Sequence, residues 1–191
     1  MQYFTLFLAT VFIFSGCASK KPEPTKKVTQ SVQKLDLSKI NYPTKIGDYL
    51  LQNKQTLKNK RQGIMIRYLN KTKTTSYLDC NIYPKGEDKN ITTHYKDILS
   101  GISFMKKEGV LKQADILKEE HIMIDAKHPA LRTIFEMQNS ITAYYSVLYL
   151  VPFEDHYIYV RFSNPHKAEF LQSDYGEKTL KELYKAIKFN K

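Results

Sequence analysis

The chain has no tryptophan, only two cysteines (Cys17 and Cys80), and only four arginines among its 30 basic residues. Two cysteines allow at most one disulfide, so the stability of a 191-residue chain has to come from packing. They also cannot build a cysteine-rich metal centre, and the five histidines contain no H-E-x-x-H spacing. Arg61, Arg67, Arg132 and Arg161 are dispersed, so no arginine cluster suited to bidentate phosphate contacts forms in sequence. The seven glycines make neither a dinucleotide fingerprint nor a P-loop, and no G-x-S-x-G is present. Internal repeats are absent, which excludes a solenoid. These absences leave a single packed domain with no catalytic, cofactor or metal motif.

What is present begins with charge and aromatics. The 30 Lys+Arg against 19 Asp+Glu give a formal net charge of +11, nearly all of the excess being lysine. Lysines scattered in this way read first as surface charge, and second as attraction to an anionic partner; a nucleic-acid partner is not expected. Fourteen tyrosines and ten phenylalanines supply the mass of a core without tryptophan.

Residues 3–14 are apolar except Thr5 and Thr10, and Ser15-Gly16-Cys17 follows directly. This run is short of the roughly 20 residues a membrane-spanning helix needs, but suits the apolar region of a signal peptide. With the small residues and the cysteine after it, the start of the chain resembles the lipobox of bacterial lipoproteins. The resemblance implies that residues 1–16 are a signal peptide and that Cys17 becomes the acylated mature N-terminus. The bilayer is then a partner through the acyl chains on Cys17, and two or three chains hold stably where one holds marginally. Because Ala18, not Asp, follows the cysteine, the resemblance favours the outer membrane in a Gram-negative cell envelope. An acylated Cys17 leaves Cys80 without a disulfide partner, and the alternation around Cys80 predicts a buried, inert thiol.

Residues 17–41 carry Lys, Pro, Thr, Gln and Ser with few large apolar groups, and read as a flexible tether. A single globular domain is expected over 42–191. Strands are predicted near 48–52, 64–69, 77–83, 120–125, 131–138, 143–151 and 157–163. Tyr95, Ile98, Leu99, Ile102 and Met105 recur at helical spacing, predicting a helix over 93–107 ended by Gly109. Leu180, Leu183, Tyr184 and Ile187 predict a second over 177–188, and Asn164-Pro165 reads as a further helix start. The order predicts an α+β fold, a largely antiparallel sheet packed against amphipathic helices. That order, with "KIGDYLL", "LDCNIYPKG" and "YIYVRFSNP" across residues 45–190, resembles the Mog1/PsbP-like domains. The resemblance implies an α/β sandwich and an accessory or binding module, and supplies no catalytic residue.

Strand parity then groups side chains by face. Pairing Arg67 with Asp79 brings Ile66 opposite Cys80, Tyr68 opposite Leu78 and Ile64 opposite Ile82. A two-residue turn at Asn139-Ser140 sets Leu131 opposite Leu148 and Phe135 opposite Tyr144. A loop over 152–156 sets Leu150 opposite Ile158 and Leu148 opposite Val160. These registers leave Arg132, Tyr145, Tyr149, Tyr159 and Arg161 together on the face away from that core. Tyrosine and arginine are enriched at recognition surfaces, so this is the candidate ligand face. The alternative is that a helix covers it and the tyrosines are core. Glu119-Glu120-His121 and Glu154-Asp155-His156 place neighbours on opposite sides of a strand and read as surface charge, not dyads. Asn70-Lys71-Thr72 and Asn90-Ile91-Thr92 match the glycosylation pattern, which matters only in a eukaryotic secretory route.

The sequence thus predicts a non-enzymatic envelope lipoprotein whose domain binds an envelope protein or an anionic polymer, without a cofactor. A glycan or small-anion binder using the tyrosine/arginine face is the rival reading, and a hydrolase with a site assembled from distant residues is a third.

Overall fold

In a computed structural model, residues 40–56, 63–73, 75–86, 90–165 and 176–187 are described. They all lie in the compact unit Asp36–Lys191. Residues 1–39, which include Cys17 and nearly all of the expected tether, fall outside the described set. The helix expected after Asn164-Pro165 does so as well.

The elements run β1 (Lys45–Ile46), β2 (Tyr49–Thr56), β3 (Ile64–Asn70), β4 (Tyr77–Pro84), α1 (Ile91–Lys107), β5 (Gln113–Met123), β6 (Pro129–Gln138), β7 (Ala143–Phe153), β8 (His156–Asn164) and α2 (Glu177–Ala186). The eight strands form one sheet in the order β1-β2-β3-β4-β8-β7-β6-β5, and every pairing is antiparallel. Two four-strand meanders are therefore joined at the middle by β4 and β8. Helix α1 carries the chain from the centre of the sheet to its far edge, where β5 starts. The fold is α+β, as expected. Short β1 was not legible, and β5 begins seven residues earlier than its expected start. It is mostly exposed because it is an edge strand, so it lacks the buried alternation of its neighbours.

Local chemistry sets the ends of α1. Asn90 is its N-cap, its side chain accepting from the Thr92 amide at 2.8 Å. Asn70 likewise accepts from the Thr72 and Lys73 amides in the turn after β3, both at 2.9 Å. Both Asn-x-Thr triplets thus serve backbone turns. At the other end Gly109 takes φ +73°, which closes the helix as the sequence predicts.

Both faces of the central strands are covered. On one, α1 lies over a core of Tyr95, Ile102, Leu131, Phe135, Leu148, Leu150 and Tyr157. On the other, α2 buries Leu180 and Leu183, and the Phe162 ring lies against the start of that helix at Gly176. Strands β7 and β8 are accordingly buried almost throughout, the pattern of strands covered on two sides. Packed residues begin no later than Ile40, which is 4% exposed and lies two positions before the expected domain boundary.

The registers decide what shares a face. The β3–β4 pairing is the expected one: Arg67 opposite Asp79, Ile66 opposite Cys80, Tyr68 opposite Leu78 and Ile64 opposite Ile82. Between β6 and β7 the register is two residues away from expectation, with Leu131 opposite Leu150 and Phe135 opposite Ser146. The connection is a four-residue turn in which Asn139 accepts from the Ile141 and Thr142 amides. A two-residue slip keeps the faces.

The β7–β8 register differs by one, and that overturns the candidate face. Phe153 pairs with His156, leaving a two-residue turn at Glu154-Asp155 in which Glu154 takes φ +46°. Leu150 then pairs with Tyr159 and Leu148 with Arg161. Arg132, Tyr145 and Tyr149 lie on the α2 side, whereas Tyr159 and Arg161 lie on the α1 side. The five residues expected to form one ligand face are split between two.

Candidate functional site

On the α2 side, Arg132 and Tyr149 are fully buried. The Arg132 guanidinium donates to the Glu120 carboxylate, and its Nε to the Tyr149 hydroxyl at 3.2 Å. Glu120 also meets Lys118 at 2.7 Å, and these partners hold its carboxyl below the usual range although its partial burial works the other way. Tyr145 donates to Glu136 at 2.7 Å. Arg132 and Tyr149 are thus sealed in the core with Glu120 at its edge, while Tyr145 and Glu136 form a separate half-buried pair, so these residues do not make one open ligand face.

The α1 side keeps an opening beyond the helix. The register lines up Asn53, Arg67, Asp79 and Arg161 across β2, β3, β4 and β8. Alternation along β4 and β8 puts Tyr77, Asn81 and Tyr159 on the same side, and Tyr144 projects to it from β7. Arg67 grips Asp79 with two bonds, Nε to Oδ1 at 2.6 Å and Nη2 to Oδ2 at 2.9 Å, while its guanidinium stacks 4.9 Å from the Tyr77 ring centre. That hydrogen bonding raises the guanidinium pKa above its ordinary value, against the effect of partial burial. Arg161 reaches the same carboxylate only at 3.6 Å, and its Nε has no hydrogen-bond partner among the described residues.

Burial ranks these groups. The Asp79 side chain is 6% exposed, that of Arg161 22% and that of Arg67 37%. Asn53, Tyr77, Asn81, Tyr144 and Tyr159 are half-buried. Burial, foremost, raises the hydroxyls of Tyr144 and Tyr159 above the usual phenol range, with Arg161 opposing in both cases. Burial works against the Arg161 charge, but Tyr159, Tyr77 and Asp79 outweigh it, so the guanidinium stays charged. The strip therefore holds two cations against one carboxylate, on a flat floor of ring edges, amides and hydroxyls.

Parity errors account for what sequence reasoning missed. The Arg67–Asp79 pair was legible as a cross-strand contact, but Asp79 sits beside Arg161 only because β4 pairs with β8 from the other end of the chain. Tyr77, Asn81 and Tyr144 were unremarkable without that long-range pairing. The signal available was the two-residue length of the turn at 154–155.

Elsewhere among the described residues, most candidate polar groups are taken up by neighbours, and Asp125 and His128 form an exposed pair at 2.7 Å. Glu119 accepts from the Tyr95 hydroxyl at 2.7 Å and Glu120 serves Arg132, so neither pairs with His121. His156 is buried, which lowers its pKa below the usual imidazole value despite Asp155 and Glu154 nearby. His94 accepts from or donates to the Tyr83 hydroxyl at 2.7 Å and stacks on Tyr157 with ring centres 4.5 Å apart. Cys80 is fully buried, and burial raises its thiol pKa far above the reactive range. Among the described residues no three His, Cys, Asp or Glu side chains are placed to hold a metal ion. A cleft of about 200 Å³, lined in part by Asp48, Asn70, Lys73 and Gly176, lies between the β1–β2 turn and the start of α2.

No protein family and no curated protein matches the chain. Among solved structures it is similar to the solution structure of cyanobacterial PsbP (CyanoP) from Synechocystis sp. PCC 6803. The two share 13% sequence identity over 75% of this chain and 83% of that one, with a TM-score of 0.47. The likeness is one of chain trace and transfers no residue role.

Proposed function

We propose that this protein is a bacterial envelope lipoprotein, anchored through acyl chains on Cys17 and favouring the outer membrane of a Gram-negative cell, whose single domain is a non-enzymatic binding module. The observation that carries the address is Ser15-Gly16-Cys17 placed straight after an apolar run too short to span a bilayer. Among the described residues no helix is long and apolar enough to cross a membrane, so anchoring in this reading rests on Cys17.

The binding role is supported by the strip on the α1 side. Its two guanidiniums and one carboxylate carry a net positive charge next to half-buried tyrosines, on a chain whose formal net charge is +11. An anionic envelope component fits that balance, and the strip offers no nucleophile–base pair for chemistry.

Labelling cells with an alkyne fatty acid tests the address. Wild type should incorporate label and fractionate with membranes, and Cys17→Ala should do neither. Equal labelling of the two would reject the lipoprotein reading. Retention of the wild-type chain on purified envelope material tests the binding role, and absence of salt-sensitive retention would reject it.

A further inference from the structure

We infer that the strip formed by Asn53, Arg67, Asp79, Asn81, Arg161 and Tyr77 is a subsite for a carboxylated glycan segment, with Arg161 holding one sugar carboxylate. The inference deepens the binding role proposed above and rests on it.

Three observations carry it. First, the cations are unequal. Arg67 is held to Asp79 by two bonds of 2.6 and 2.9 Å, whereas Arg161 reaches the same carboxylate only at 3.6 Å and also engages the Tyr159 hydroxyl. Its Nε is buried and finds no acceptor among the described residues, and the 22% exposure of the side chain belongs to its other atoms. Arg161 is thus a partly exposed guanidinium that its carboxylate partner holds only loosely. Second, the charges leave one to be balanced. Two guanidiniums face one carboxylate, so a single monoanionic group completes the strip, and a planar carboxylate matches the fork of Arg161.

Third, the backbone beneath the strip is closed. β3, β4 and β8 are interior strands, and their main-chain groups are used in ladders on both sides. An extended peptide therefore finds no strand edge to join here. A sugar chain needs none. Its hydroxyls can meet the half-buried amides of Asn53 and Asn81, and its flat face can lie along the Tyr77 and Tyr159 side chains. A neutral glycan would leave Arg161 unmatched.

Titration calorimetry of the full chain in mild detergent tests this, with oligogalacturonate of defined length as the probe. Its methyl ester, a neutral oligoglucan and poly-L-glutamate serve as comparisons. Wild type should bind the acid form saturably and the ester at least about 10-fold more weakly. Arg161→Gln should lose about 10-fold in affinity for the acid form and none for the ester, with the melting midpoint lowered by no more than a few degrees. Arg161→Lys, which keeps charge without the planar fork, should fall between, and it keeps the test valid if the glutamine variant folds poorly. Asn81→Ala should weaken binding a few-fold. Equal binding of acid and ester, or an acid affinity that survives Arg161→Gln, would overturn the inference. Tighter, Arg161-dependent binding of poly-L-glutamate would also overturn it, by assigning the strip to acidic peptides. If oligogalacturonate fails while salt-sensitive envelope retention persists, the glycan assignment falls and the broader binding role stands.

Discussion

The two faces of the sheet use the same residue types to opposite ends. On the α2 side an arginine, a glutamate and a tyrosine are packed so that Arg132 is fully buried and bonded to both neighbours. On the α1 side an arginine pair, an aspartate and tyrosines stand in a row that the helix only partly covers. The difference lies in which acid is buried. Glu120 reaches the solvent from an edge strand and brings its charge to a sealed arginine, whereas Asp79 is sealed in the sheet and draws two arginines towards it from the open side. A guanidinium surrounded by protein acts as structure, and one shared over a buried carboxylate at the rim keeps donors for something else.

That contrast can be broken by substitution. The largest effect should come from Arg132→Ala, which empties a fully buried volume and strips Tyr149 and Glu120 of their shared donor. A loss of about 4 kcal/mol in urea unfolding is expected. A loss below about 1 kcal/mol would mean that the α2 side is not sealed.

On the α1 side, Arg67→Ala and Arg161→Ala should each cost about 1 kcal/mol, because either arginine can still answer Asp79 and both are partly solvated. The double variant should cost about 3 kcal/mol, since it leaves a buried carboxylate alone. A double-mutant cycle measures the coupling, and strict additivity would show that the two arginines do not share Asp79.

Gly176→Ala sharpens the α2 side from the helix. Gly176 takes φ +77°, and a Cβ there would sit 2.9 Å from the Phe162 ring. A loss of about 2 kcal/mol is expected from backbone strain and the displaced ring, whereas a neutral outcome would show that α2 starts differently.

The smallest effect is a pH dependence from His156. Burial lowers its folded pKa below the ordinary 6.5, so between those two values the unfolded chain binds more protons. Stability should therefore decline as pH falls through about 6.5 and level off below the folded pKa, ahead of any loss from carboxylates. His156→Gln should flatten that segment of the pH–stability curve. An unchanged curve would place the titration elsewhere.

Local chemistry made much of this protein legible without coordinates. The period of Tyr95, Ile98, Leu99 and Ile102 marked α1, Gly109 marked its end, and alternation around Arg67 and Asp79 was enough for the β3–β4 register. These features depend on neighbours in the chain or on one short connection, where side-chain period and turn geometry carry the information. The resemblance of Ser15-Gly16-Cys17 to a lipobox is also a linear pattern, and it lies outside the described residues.

Tertiary structure alone decided where the arginines face. The joining of β4 to β8 brings Asp79 and Arg161 together across 82 positions of chain, and no local pattern encodes a partner that distant. The β7–β8 turn decided the rest, because in a strand of period two a turn shorter by a single step moves Tyr159 and Arg161 from the sealed side to the open one. With helices on both faces, β7 is apolar in both directions over residues 147–151, so its alternation could not report which of its faces meets Ile158 and Val160 of β8. Coverage by α1 and α2, which differs from one end of the sheet to the other, then separated a buried arginine from a half-open one.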